Sequence, residues 1–458
     1  MEAVRRDVVG LEHRFPRLGG EQGALINFDN SAATPVLRPV LEAVTEFLQV
    51  YANVHRGQSW KSVISTHAYD DAHEMLARFV GADTATNTVI LAKNTTSAIN
   101  RIARRFPFRD GDRVLVTLME LHSIDLPWRA RVPVEHVELD ADGALDLNDL
   151  ERRLRRLGGR ARVVAVSGAS NVTGVLNPIY EIARLAHKHG AKIVVDAAQL
   201  APHRPIDMRP NHDPEHLDYV AFTSNKMYAP FGVGVLVGDK ESFSLGPPDE
   251  PGGGTIKIVT SEIVEWADLP DREEGGTPNV VGAVALARAI RYLNGLGWEA
   301  IAAHEERLTA RLLERLPEIP GCELYGPPEL GRRLGVIALN LLQIPHALLA
   351  AALNYEHGIA TRNGCFCAQP YMKHLLRCAP DIDMTSQQAI LAGDRANMPG
   401  AVRVSFGIYN TEAEVDALIA ALKSLATSPP RGRYHQLPGS SQYLPTDLPF
   451  DPKQYFSV

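Results

Sequence analysis

Lys226 lies in Asp218-Tyr-Val-Ala-Phe-Thr-Ser-Asn-Lys226-Met-Tyr-Ala-Pro-Phe-Gly232-Val-Gly234, a strand pattern running into a lysine and then a glycine-rich turn. An amine so placed can form a Schiff base with an aldehyde. Thirty positions upstream, Val194-Val195-Asp196-Ala197-Ala198-Gln199 reads as a buried strand ending on a carboxylate. A lysine together with an acid is what pyridoxal 5'-phosphate (PLP) requires. The lysine binds the aldehyde, and the aspartate keeps the pyridine nitrogen protonated so that the ring can act as an electron sink.

A phosphate site can be argued separately. After the strand pattern Thr88–Leu91 comes Lys93-Asn-Thr95-Thr96-Ser97, which opens a helical pattern. Hydroxyls and backbone N–H groups there meet the positive end of the helix dipole. Taken alone the motif is an ordinary N-cap, Asp196 a helix cap and Arg403 a surface charge on an edge strand; it is their occurrence together that points to a cofactor site.

The sequence also contains the elements that could position these residues. Short β-branched runs at Thr88–Leu91, Arg113–Thr117, Arg162–Val166, Lys192–Val195, Tyr219–Phe222 and Val233–Val237 alternate with amphipathic segments such as Leu150–Leu157 and Ile179–His187. This punctuation predicts an α/β fold with a mostly parallel sheet covered by helices on both faces. From about Val280 long helical stretches (Val281–Ile290, Glu299–Leu316) and isolated strands (Val336–Leu342, Val402–Phe406) predict a smaller C-terminal α+β domain. The expected division is residues 1–35 as an N-terminal arm contributing to the small domain, 36–280 as the large domain, 281–427 as the small domain and 428–458 as a tail. Gly246–Gly254 and the Pro-, Gly- and Tyr-containing tail read as irregular.

With 458 residues, 45% hydrophobic and 22% charged, the chain can bury a large core. A net charge of -7 without a long Lys/Arg run favours neither nucleic acid nor an anionic membrane as partner. There is no long apolar span and the first residues lack a secretory h-region, so a cytoplasmic protein is expected. Four cysteines, Cys322, Cys365, Cys367 and Cys378, are too sparse for a disulfide framework and are expected as thiols.

Taken together the motifs resemble the class V aminotransferase branch of fold-type I PLP enzymes, most closely the cysteine desulfurase and selenocysteine lyase group. The matching stretches are Phe28-Asp29-Asn30-Ser-Ala-Ala33, Asn53-Val-His55-Arg56-Gly57, Thr95-Thr96-Ser-Ala-Ile-Asn100, Pro127-Trp128, Ser170-Asn171-Val172-Thr-Gly174, Asp196-Ala-Ala-Gln199, the Lys226 segment, Gly275-Gly276-Thr277-Pro278-Asn279, Arg362-Asn-Gly364-Cys-Phe-Cys367 and Arg403-Val-Ser405-Phe-Gly. They occur in family order along nearly the whole chain.

The resemblance implies a PLP-dependent enzyme and a role for each matching residue. Lys226 would carry the cofactor, Asp196 would pair with the pyridine nitrogen, Gln199 would donate to the phenolic oxygen and Ala198 would lie under the ring. Thr95, Thr96 and Thr223 would hold the phosphate, with Asn225 beside them. Thr277 would reach that phosphate from the neighbouring subunit, which makes a homodimer part of the active site. Asn171 and Arg403 would bind the carboxylate of an amino acid substrate, with Arg362 and His55 as further substrate contacts. Cys367 matches the persulfide-forming nucleophile, and a sulfur-acceptor protein is a further partner that this chemistry allows. Cys365, two positions away, is open to reading as a resolving thiol, a metal-binding accident or simple packing.

Two departures from the family pattern bear on the reaction. In Met119-Glu120-Leu121-His122-Ser123 the ring-stacking histidine of the family is replaced by Leu121, leaving His122 or His55 as candidates for proton transfer. Asn225 stands where a phosphate-binding histidine usually precedes the lysine. The first expectation is a cysteine desulfurase-like enzyme that yields alanine and an enzyme persulfide. The alternatives are a PLP-dependent C–S lyase, epimerase or aminotransferase of a biosynthetic pathway and, more remotely, a catalytically silent PLP-fold binding protein. The segment from Cys378 to Pro399 is open to reading as a lid, an acceptor-docking surface or a disordered insert.

Overall fold

A computed structural model describes residues 2–448 and 450–458; the first residue of the expected arm and Pro449 of the expected tail lie outside the described residues. The chain divides into two compact units. One comprises Ala33–Ser170 and Val175–Ala302, the other Met1–Ala32, Asn171–Gly174 and Ala303–Val458.

The larger unit is built on a seven-stranded sheet. Its strands are β1 (Asn87–Ala92), β2 (Arg113–Thr117), β3 (Val134–Val137), β4 (Ala161–Ser167), β5 (Lys192–Asp196), β6 (Tyr219–Thr223) and β7 (Gly234–Asp239). Their spatial order is β1-β7-β6-β5-β4-β2-β3. Neighbours from β6 to β3 run parallel, while β7 is antiparallel to both β6 and β1. The sheet is therefore mixed, with one reversed strand. Ten residues separate Thr223 from Gly234, too few for the crossover that parallel pairing demands, so the chain turns back beside the strand it left.

The β-branched runs are buried on both faces, because helices cover both sides of the sheet. Helix α1 is Arg38–Val50, α2 is Trp60–Phe79, α3 is Thr95–Arg105, α4 is His122–Arg129, α5 is Leu147–Leu157 and α6 is Ile179–Lys188. Ala98, Ile99, Ile102 and Ala103 of α3 pack with Trp128 of α4 against Val114, Val163, Val194 and Leu236 of the sheet. In α5, Asp146 caps the N-terminus by accepting from Asn148 and Asp149 N–H, and Leu150, Leu154 and Leu157 form the buried stripe. Helix α7 (Val280–Leu296) packs Val280 and Ala283 with Tyr69 and Ala72 of α2.

The smaller unit holds a four-stranded antiparallel sheet. It is formed by β8 (Cys322–Tyr325), β9 (Val336–Leu341), β10 (Arg362–Gly364) and β11 (Ala401–Ser405), in the order β8-β9-β11-β10. Leu339, Val402 and Val404 share a core with Phe28, Leu308, Leu312, Leu418 and Leu422. Regular structure is present both in the open segment between Cys378 and Pro399 and in the tail of irregular composition. Residues 380–391 form a helix, and the tail pairs Tyr434–Gln436 with Tyr443–Pro445. No helix among the described residues is long and apolar enough to cross a membrane.

Candidate functional site

In the larger unit, chemistry-bearing residues gather where β5 and β6 end. Asp196 is the last residue of β5 and its side chain is buried, with Oδ1 accepting from Ala198 N–H at 2.9 Å. Burial raises its pKa above the ordinary aspartate range, opposed by that N–H and by the charge of Lys226. Lys226 ends the single 3-10 turn Ser224–Lys226 after β6 and lies half-buried, its Nζ 3.4 Å from Gln199 Oε1. Ser224 fastens the turn, since its N–H donates to Val233 O at 2.8 Å and its Oγ accepts from Val233 N–H at 3.0 Å.

The start of α3 is a capped helix N-terminus rich in hydroxyls. Asn94 caps it by accepting from Ser97 N–H at 2.9 Å. Thr95 Oγ1 is buried without a hydrogen-bond partner, and Thr96 Oγ1 lies 2.8 Å from Ser123 Oγ at the start of α4. Gly234 allows β7 to approach this end closely, because a Cβ there would sit 2.2 Å from the Asn94 carbonyl carbon. Thr223 Oγ1 donates to Asn225 Oδ1 at 2.7 Å, so the Asn225 amide is held beside the threonine.

Sequence motifs assign no role to Glu120, yet it sits deep in this unit. It is fully buried, accepts from Thr117 Oγ1 at 2.7 Å and from Ser167 N–H at 2.9 Å, and is also bonded to Ser167 Oγ. Burial pushes its pKa up to about 7. Leu121 precedes α4 in extended conformation, and His122 is the helix's first residue. Burial lowers the His122 pKa, with the Arg129 charge adding to the effect and Asp125 opposing it.

His55 and Thr277 line a different feature, a cleft of about 500 Å³ bordered also by Asn53, Arg56, Tyr69 and Glu274. Lys226, Asp196, Gln199 and Thr95 are not among its lining residues. His55 has a left-handed backbone (φ 66°), and its ring Nε2 lies 3.2 Å from Asp70 Oδ1.

The smaller unit brings Asn171, Arg362, Cys367 and Arg403 into one constellation with Asp29 and Phe366. Asn171 Nδ2 donates to Phe366 O at 2.9 Å, and Arg403 Nη1 donates to Asn171 O at 2.9 Å. Asp29 receives Arg403 Nη2 at 3.1 Å and Arg362 Nη2 at 2.8 Å. The Arg403 guanidinium lies over the Phe366 ring, 5.0 Å from its centroid. Its Nε is buried without a partner, and burial lowers its pKa to about 10 against the pull of Asp29. Phe366 and Cys367 both adopt positive φ (54° and 55°), a sparsely populated conformation for such residues, and Cys367 is exposed. Cys365 instead donates from Sγ to Pro399 O at 2.8 Å, and burial pushes its pKa up to about 11.

The class-V aminotransferase profile matches residues 26–418. The chain belongs to the class-V aminotransferase family. It is 34% identical over 424 residues to a probable cysteine desulfurase of Halalkalibacterium halodurans, covering 90% of this chain and 96% of that protein. It is 36% identical over 416 residues to one from Staphylococcus aureus, covering 89% and 93%. Among solved structures, the apo cysteine desulfurase of Thermococcus onnurineus NA1 superposes with a TM-score of 0.80 at 33% identity, covering 93% of this chain and 98% of that one. A cysteine desulfurase of Escherichia coli gives 0.74 at 27% identity, covering 88% and 94%.

Membership implies fold-type I architecture and PLP as cofactor. The residues present fit that cofactor: an unpartnered buried hydroxyl at a helix N-terminus suits a phosphate, and a buried carboxylate of raised proton affinity suits a pyridinium N–H.

Proposed function

We propose that this protein is a cysteine desulfurase-like enzyme that removes sulfur from L-cysteine, giving alanine and a persulfide on Cys367. The observation that carries the reading is the gathering of a buried Asp196 with Lys226 and its neighbour Gln199 where β5 and β6 end, in a chain whose exposed Cys367 has a left-handed backbone. When bound, PLP supplies an electron sink for the charge left at Cα.

The chain's own residues do the rest. Thr95, Thr96, Thr223 and Asn225 hold the phosphate by hydroxyl, amide and helix-terminal N–H donors. Asp196 stays ionised against the ring N–H, Gln199 donates to the phenolic oxygen, and Ala198 leaves room for the ring face. Arg403 and Asn171 orient the substrate carboxylate, assisted by Arg362 and His55. In this assignment Asp29 holds both guanidinium groups in place beforehand. Lys226 Nζ takes the Cα proton and returns it. The Cys367 thiolate attacks the substrate sulfur; the S–S bond forms as Cβ–S breaks, and the carbon product is protonated to alanine. Leu121 packs but cannot carry a proton, which leaves His122, whose pKa burial lowers, as the nearest imidazole in sequence for proton transfer.

The assignment extends to a homodimer in which Thr277 completes the neighbour's phosphate site, to a sulfur-acceptor protein as partner and to a cytoplasmic setting.

The deciding experiment is the product profile on cysteine. Cys367→Ser should stop formation of alanine and persulfide while cofactor and substrate still bind, and Cys365→Ser should be far milder. Mass spectrometry after one turnover should find the added sulfur on Cys367. Unchanged product release from both serine variants would rule out thiol chemistry. Leu121 favours a second reading, a C–S lyase, epimerase or aminotransferase, and pyruvate with sulfide or a transferred amino group would then be the product.

A further inference from the structure

Glu274 has no place in that chemistry, yet it is a heavily bonded carboxylate beside the Gly275-Gly276-Thr277 turn. Its side chain is 5% exposed. Oε1 accepts from His73 Nε2 at 2.9 Å and from Leu91 N–H at 2.5 Å, and Oε2 is bonded to the Tyr69 hydroxyl. Tyr69 and His73 are four residues apart and therefore share one face of α2, while Leu91 presents an outward N–H from β1, an edge strand of the sheet. One carboxylate thus ties a helix, a sheet edge and a loop together.

The ring of His73 is engaged at both nitrogens. Nδ1 lies 3.0 Å from Tyr69 O and Nε2 faces the carboxylate. Both partners are acceptors, so both nitrogens must carry protons and the ring is an imidazolium. Consistently, its pKa is raised to about 9: burial works against the charge, but Glu274 outweighs it, with Tyr69 O and Asp70 adding to the rise. The other groups facing this cluster are His55, 5.7 Å from the Tyr69 ring, and Asp271, which acts on Tyr69 and His73.

The cluster matters because Glu274 leads directly into the turn that carries Thr277. Two glycines separate the two residues, and Gly276 has φ +85°, so the path of the turn is set by its anchors rather than by its own backbone. The far anchor is Asn279, whose Nδ2 donates to Phe231 O at 2.7 Å and Gly232 O at 3.1 Å. Gly276 N–H adds a bond to Gly253 O at 2.7 Å. Between these points Thr277 is exposed and lines the 500 Å³ cleft, whose lining does not include Lys226.

We infer that Glu274, clamped by Tyr69 and protonated His73, is a positioning residue that presents Thr277 to the phosphate of PLP held by the neighbouring subunit. The inference rests on the reading that Thr277 acts across a dimer. Glu274→Gln leaves an amide facing the same donors and removes the charge that pairs with His73, so it should loosen the turn without emptying the core.

The test measures retention of PLP by the purified dimer and borohydride trapping of PLP on Lys226. Glu274→Gln and His73→Gln should each weaken PLP binding at least tenfold. His73→Arg, which preserves a cation, should restore binding toward the parental value, a rescue that a purely space-filling role would not give. Parental PLP binding in both glutamine variants would overturn the clamp. Mixed dimers locate its effect. When a Lys226→Ala subunit is paired with a Glu274→Gln subunit, the only trappable lysine receives its Thr277 from the subunit with intact Glu274, and trapping should recover. If the mixed dimer traps no better than the Glu274→Gln homodimer, the clamp acts within its own subunit and the cross-dimer assignment of Thr277 falls.

Discussion

Asp196 is buried with an elevated proton affinity, a state that a pyridinium N–H would reverse by offering an opposite charge. Asp196→Asn is isosteric but cannot hold that proton. The fold and much of the bound cofactor should survive while turnover falls on the order of 100-fold or more, as expected for lost electrostatic stabilisation of developing charge. Steady-state kinetics beside the absorbance of bound PLP checks this. Lys226→Ala should abolish turnover, with PLP still bound but no longer trappable by borohydride. Glu120 allows a pH prediction. Its folded pKa of about 7 lies above the unfolded carboxylate value, so the folded state binds the extra proton. Stability should therefore decline as pH rises from about 4.5 through 7 and level off above, by on the order of 1–3 kcal/mol from this group. Glu120→Gln should flatten that slope in urea unfolding followed at several pH values. At this scale the positions of Lys226, Asp196, Thr95 and Thr96 are legible in the sequence because each lies at or just after a strand run. The Tyr69, His73 and Glu274 cluster is not, since helix, edge strand and loop contribute to it from distant stretches of sequence.

Among the elements, β7 and α3 carry the sharpest steric constraint. At Gly234 even one methyl group would meet the Asn94 backbone, so Gly234→Ala must push the strand from the helix start or break pairing with β1. A loss of about 1–3 kcal/mol is expected, together with weakened PLP retention, whereas the same change at solvent-facing Gly111 should not affect the cofactor. Thermal unfolding and cofactor release measure the two effects. Six sheet strands could be read from β-branched runs because burial on both faces demands such runs. Val134-Glu-His-Val137, a short edge strand with a polar middle, carries no such run. Periodicity carries no strand direction, so the reversal of β7 was invisible to it, although the short link after Thr223 encodes it. The 380–391 helix falls in a segment whose pattern leaves its structure open, and the tail strands lie in a stretch of irregular composition.

For the whole molecule, a phosphate site shared between subunits would make cofactor affinity a function of protein concentration. Diluting the enzyme below its dimer dissociation constant should release PLP in step with dissociation, observable by sedimentation at the PLP absorbance. A well-folded monomer that keeps PLP tightly would contradict the shared site.

The reversed strand also has a bearing on how the protein is made. β7 pairs locally with β6, but its other edge must find β1, which left the ribosome more than a hundred residues earlier. Only that late, long-range closure seats Gly234 against Asn94 and finishes the cradle at the start of α3. Cofactor capture should therefore report completion of the sheet. In refolding experiments the yellow colour should lag behind the recovery of helical circular dichroism, and added PLP should favour the closed sheet without hastening the earlier collapse.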